Sequence, residues 1–104
     1  MSGAKAAPVT LAELSAIADR VEALLKSAQE LVADKDPYSA VGRAERTTAM
    51  ASLKIVLEGE LKAKINSAHD ACRIRIAGVS SSCTAGFEGA VGNWIRAARL
   101  KAAA

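Results

Sequence analysis

The chain has 104 residues, of which 51% are hydrophobic but only 3% aromatic, and its formal net charge is +3. This length favours a single domain, and alanine supplies much of the apolar content, so we expect a thin core that other copies or a partner would supplement. The modest charge argues against a dedicated nucleic-acid clamp, and no apolar stretch reaches the roughly 20 residues that span a membrane.

The N-terminal sequence MSGAKAAPV predicts a flexible arm over residues 1–9, followed by a single helical domain over residues 10–104. The arm lacks the apolar segment of a secretory signal peptide. We therefore expect a cytoplasmic or virion-associated protein.

A first helix is predicted from about residue 11 to residue 33. Thr10 can cap it, and Glu13 is placed to complete a capping box. Its apolar residues follow helical spacing and form one stripe. They are Leu14, Ile17, Val21, Leu24, Leu25, Ala28, Leu31 and Val32.

A second, longer helix is predicted after the sequence DKDPYS, with Asp36 as cap and Pro37 at the first helical position. Since Gly42 weakens the helical pattern, a start nearer Arg43 is the alternative. Cys72, Ile74 and Ile76 alternate with arginines in the manner of a β-strand. Since no second alternating run offers a pairing partner in the same chain, the sequence favours continuing this helix to about residue 77. A strand paired with another copy is the alternative.

The last predicted helix begins at a Ser82 or Thr84 cap and contains three glycines at three-residue spacing. Each glycine costs about 1 kcal/mol relative to alanine in a helix. The pattern lacks the spacing and the lysine of a phosphate-binding loop, so it favours either close approach of another backbone or a first helical turn that is partly loop. The predicted contact surface comprises Gly86, Phe87, Gly89, Val91, Trp94 and Ile95.

These elements predict an all-α fold, in which a long antiparallel helical hairpin packs with a shorter C-terminal helix. Cys72 and Cys83 would come into register if the chain turned back between Ala77 and Gly78, and a disulfide within or between chains would then be sterically allowed. Two free thiols are favoured in a reducing compartment.

Neither a metal site nor catalysis finds support in the residue pattern. His69, Cys72 and Cys83 would give three metal ligands at most, and no cofactor motif is present. His69 and Asp70 are adjacent and would point to different sides of a helix, and no nucleophile lies at helical spacing from a base. We therefore expect a protein that is not an enzyme.

The sequence favours non-catalytic association, either self-assembly or docking on a larger complex. A structural or accessory component of a bacterial or phage assembly fits this expectation by analogy. One alternative is a small basic helical protein that binds nucleic acid through Arg73, Arg75, Arg96, Arg99 and Lys101. The other is an oligomer that binds a small anionic ligand between subunits, with Arg43, Arg46, Arg73 or Arg75 around it.

Overall fold

A computed structural model describes residues 10–36, 38–68 and 70–103, which form three helices and a three-stranded antiparallel sheet. The elements in chain order are α1 (Leu11–Glu30), α2 (Ala40–Glu60), β1 (Lys64–Ser67), β2 (Cys72–Ile76), β3 (Val79–Cys83) and α3 (Phe87–Ala103). The all-α prediction is therefore wrong, and the protein has a mixed fold of helices and sheet. The predicted N-terminal arm lies outside the described residues.

The predicted start of α1 is confirmed in detail. The Glu13 backbone N–H donates to the Thr10 hydroxyl oxygen at 3.1 Å, and the Thr10 backbone N–H donates to the Glu13 carboxylate at 3.2 Å. This reciprocal capping box satisfies two backbone donors that the first turn of a helix leaves without intrahelical partners. The helix ends at Glu30, slightly before the predicted end.

The second helix differs from the prediction at both ends. Ser39 is its N-cap and accepts a hydrogen bond from the Gly42 backbone N–H at 2.9 Å, so the Asp36 cap is wrong. Pro37 lies outside the described residues. The helix stops at Glu60 because Lys62 takes a left-handed φ of 57°, which turns the chain into β1.

The sheet has the strand order β1–β2–β3, with both pairs antiparallel. A two-residue turn joins β2 to β3, and its residues Ala77 and Gly78 have φ values of 54° and 80°. Positive φ at both positions is the mark of the turn that suits the twist of a hairpin. The helix predicted across residues 72–77 is therefore wrong, since both partner strands belong to the same chain.

The inner face of the sheet packs against α3, and α1 packs on the opposite side of α3. Ile74 and Ile76 of β2 are buried there, and Trp94 of α3 is fully buried among them. The Trp94 indole N–H donates to the Val79 backbone carbonyl at 2.9 Å. This bond gives the one polar atom of a large buried side chain a partner in β3.

Each of the three C-terminal glycines has a different structural setting. Gly86 has a φ of 111°, which favours glycine because a Cβ would be strained there. A Cβ added at Gly89 would lie 2.7 Å from the Cys83 Sγ atom, so close approach explains this glycine. A Cβ added at Gly92 would lie 3.9 Å from the Nη1 atom of Arg96, which is an ordinary contact distance, so the packing does not require glycine there.

This difference predicts opposite effects of two alanine substitutions in α3. Gly92→Ala should raise the free energy of unfolding by roughly 0.5–1 kcal/mol, since alanine favours the helix and the added methyl has room. Gly89→Ala should lower the free energy of unfolding despite the same helix preference, because its methyl group meets the Cys83 sulfur. Urea unfolding measures both values.

The double variant Cys83→Ala/Gly89→Ala identifies the cause. In the Cys83→Ala background, which lacks the sulfur, Gly89→Ala should raise the free energy of unfolding as much as Gly92→Ala does in the wild type. An equal loss of stability from Gly89→Ala with and without Cys83 would refute the steric explanation.

Candidate functional site

The face of the sheet turned away from α3 carries a run of polar and basic side chains. The register places Lys64, Arg75 and Ser80 in one row across the strands, and Asn66, Arg73 and Ser82 in the next. All six residues are exposed, and we call them the outer sheet face. They line an open depression of about 530 Å³.

The outer sheet face brings three cations close together. Lys64 and Arg75 are directly opposed on neighbouring strands, where Cβ atoms lie about 5 Å apart. Arg73 lies two residues before Arg75 on the same side of β2, which separates their Cα atoms by about 7 Å. Like charges directly opposed across strands lower stability. The arrangement therefore disfavours folding unless an anion neutralises it.

No carboxylate within the described part of the chain forms an ion pair with Lys64, Arg73 or Arg75. None of the six residues of the outer sheet face is acidic. Three helical arginines, in contrast, are held by carboxylates of neighbouring helices. Arg20 pairs with Glu60, Arg46 pairs with Glu88, and Arg99 pairs with Asp19 and Glu22.

Arg99, which the sequence predicts as an anion contact, is bound by carboxylates of its own chain. Its guanidinium donates to the Glu22 carboxylate at 3.0 and 3.1 Å and to Asp19 at 2.9 Å. These hydrogen bonds hold the pKa of Glu22 below its usual value and raise the pKa of Arg99. Arg99 therefore ties α3 to α1.

The other two predicted cations of α3 lie off the outer sheet face. Arg96 is exposed and donates a hydrogen bond to the Asn93 side-chain oxygen. Asn93 in turn donates to the Ser82 backbone carbonyl at 3.0 Å, which places it beside the edge of β3. Lys101 is exposed in the last turn of α3. Of the five predicted anion contacts, the sheet brings together only Arg73 and Arg75.

The predicted contact stripe of α3 lies mostly inside the protein. Val91, Trp94 and Ile95 are buried in the core against the sheet and α1, and Phe87 is half-buried. These side chains pack within their own chain, so the fold leaves no continuous stripe here for a partner.

The cysteines stand directly opposite each other in the β2–β3 register, as the proposed turn between Ala77 and Gly78 requires. Both are free thiols; Cys72 is buried and Cys83 is half-buried. The described residues hold no group of three side chains that could ligate a metal ion. His69, the remaining ligand candidate, lies outside those residues.

The sequence indicated Arg73 and Arg75 but missed the other members of the outer sheet face. Lys64 and Asn66 lie in a strand of only four residues. Ser80 and Ser82 lie in the strand VSSSC, whose three consecutive serines show no alternation of polar and apolar residues. The available signal was the pair of residues Ala77 and Gly78 at the end of an alternating run. Reading them as a hairpin turn would have placed Ser80 opposite Arg75.

No helix in the portion of the chain that the structure describes combines the length and the apolar character needed to cross a membrane.

Glu88 neutralises Arg46, one of the three paired helical arginines. It accepts hydrogen bonds from Gln29 at 2.7 Å and from Arg46 at 2.6 Å, and so joins the three helices. Burial raises the pKa of this carboxyl, but the hydrogen bonds from Gln29 and Arg46 outweigh burial and leave the pKa below its ordinary value of 4.5.

This lowered pKa predicts a specific dependence of stability on pH. Ionised Glu88 stabilises the fold above pH 4.5, and its contribution is lost as the pH falls through the folded-state pKa. Glu88→Gln should therefore lose less unfolding free energy than the wild type on acidification below about pH 4.5. Urea unfolding at a series of pH values measures this slope, and identical slopes for the two proteins would contradict the role assigned to Glu88.

Comparison with protein families, with curated proteins and with solved structures finds no match to this chain. What the outer sheet face can do is therefore inferred from its own residues.

Proposed function

We propose that this protein binds nucleic acid without catalysis, by contacting the phosphate backbone with its outer sheet face. The observation that carries the proposal is the juxtaposition of Lys64, Arg73 and Arg75 on one exposed face that has no acidic residue. A polyanion would remove the repulsion between these cations.

The side chains of this face have the chemistry that phosphate groups require. Arginine offers two parallel N–H donors to phosphate oxygens, and lysine offers a compact positive charge. Ser80, Ser82 and Asn66 add hydroxyl and amide donors in the same two rows. Such side chains make most of the backbone contacts in protein–nucleic acid complexes.

The shape of the site favours a polymer over a small anionic ligand. The six residues spread over three strands and line an open depression, with no enclosing wall contributed by the helices. Small-molecule sites are usually concave and bury most of their ligand. An open basic face instead suits an extended backbone that continues past the edges of the sheet.

The same residues favour binding through the backbone over recognition of bases. None of the six is aromatic, so the face provides no platform on which bases could stack. It also holds no carboxylate, imidazole or thiol that could serve as a general base. We therefore expect binding that is insensitive to sequence and leaves the nucleic acid chemically unchanged.

The variant Arg73→Gln/Arg75→Gln tests this proposal. Fluorescence anisotropy with labelled oligonucleotides of mixed sequence should show clear binding by the wild type at low salt and a loss of affinity in the variant. Each lost phosphate contact lowers the slope of log affinity against log salt by about 0.7 to 0.9, so the loss of two contacts should lower the slope by roughly 1.4 to 1.8.

A matched control removes the same charge elsewhere. Lys26→Gln/Lys101→Gln changes two exposed cations of α1 and α3 and should reduce the salt slope by much less. Circular dichroism checks that both variants keep their secondary structure. Equal losses in the two double variants would indicate a net-charge effect and contradict a site on the sheet, as would a wild type that binds no oligonucleotide at low salt.

A further inference from the structure

The exposed side of α2 carries a second surface that the binding proposal does not use. Val41, Ala44, Thr48, Ser52 and Ile55 follow one another at steps of three or four residues and form what we call the α2 stripe. All five are exposed, and the stripe contains no charged residue. Val41 and Ile55 are each 68% exposed.

One end of the α2 stripe borders an apolar groove. The groove lies between the end of α1 and the beginning of α2, where Leu31 and Val32 face Val41 and Ala44. Its volume is about 480 Å³, and Leu31 is 70% exposed at its rim. The other end of the stripe carries Ile55, a branched side chain that projects from the helix surface.

We infer that a second copy of this chain docks on the α2 stripe, with the two α2 helices antiparallel. The reason is that the stripe is complementary to itself about Thr48. Val41 and Ile55 lie seven residues to either side of Thr48, and the small residues Ala44 and Ser52 lie four residues to either side. A two-fold axis through Thr48 therefore places each Ile55 in the groove of the other copy.

The small residues at the centre of the stripe allow this approach. Ala44 of one copy would meet the partner's Ser52, and Thr48 would meet the partner's Thr48. Small side chains at these positions let two helices pack closely along about two turns. The side chain of Ile55, which is exposed in the single chain, would then be buried in the dimer.

Charge complementarity supports the antiparallel direction. Glu58 forms no ion pair with any residue that the structure describes. The two-fold axis through Thr48 brings Glu58 level with the partner's Tyr38, just before Ser39, the N-cap of the partner's α2. The partial positive charge of that terminus favours a carboxylate.

The first test compares two substitutions of equally exposed apolar residues. Ile55→Glu should raise the dimer dissociation constant about 100-fold or more, because it puts a charge in the groove. Leu100→Glu changes a residue of α3 that is 74% exposed and lies outside the stripe, so it should leave the dimer unchanged. Analytical ultracentrifugation of the full chain measures both dissociation constants.

A substitution of Glu58 tests the direction of packing. Glu58→Gln should weaken the dimer about two- to fivefold, because it removes the carboxylate from the N-terminus of the partner's α2. Analytical ultracentrifugation measures the change.

Three results would overturn the inference. They are a wild type that remains monomeric at high micromolar concentration, a dimer that tolerates Ile55→Glu, and an unchanged dissociation constant in Glu58→Gln. A monomeric wild type would leave the α2 stripe to a different protein partner. Binding of oligonucleotides is measured separately, so loss of the dimer and loss of the nucleic-acid site can be told apart.

Discussion

The packing of Trp94 between the sheet and α1 is the interaction on which the rest of the structure depends. The side chain is fully buried, and its indole N–H is bonded to the Val79 carbonyl in β3. Truncation of a buried tryptophan typically costs about 3–5 kcal/mol. α3, the helix that carries this residue, covers one face of the sheet. The outer sheet face is left in contact with solvent.

The distribution of charge follows from the same arrangement. Where helices meet, arginines are neutralised by carboxylates, as in the contact of Arg99 with Glu22 and that of Arg46 with Glu88. These pairs join α1, α2 and α3 at partly exposed positions, where each contributes little stability on its own but orients the helices. Lys64, Arg73 and Arg75 have no such neighbour among the described residues, and no helical residue lines the depression beside them. These three cations without an ion pair therefore lie side by side on the outer sheet face.

Sequence patterns predicted the elements whose signals are local. The capping box of Thr10 and Glu13 needs only three-residue spacing, and α1 was found almost to its ends. The sheet was missed because its signal is not local: β1 has four residues, and only β2 buries alternate side chains completely. The stripe of Phe87, Val91, Trp94 and Ile95 was assigned to a partner because the sheet that covers it was not recognised. The cysteine register was predicted only for the case of a turn after Ala77 between two helices, and the observed turn brings the two cysteines opposite each other between two strands.

We propose above all that the outer sheet face is the surface that binds nucleic acid. Titration of the ¹⁵N-labelled protein with a short oligonucleotide, followed by two-dimensional NMR, tests it most directly because each backbone amide reports separately. Binding at the outer sheet face should shift most strongly the amide signals of residues 64–67, 72–76 and 79–83 and the side-chain signals of Arg73 and Arg75. The amide signals of α2 should not shift. Shifts concentrated at the C-terminal end of α3, around Lys101, with the sheet unaffected would contradict it.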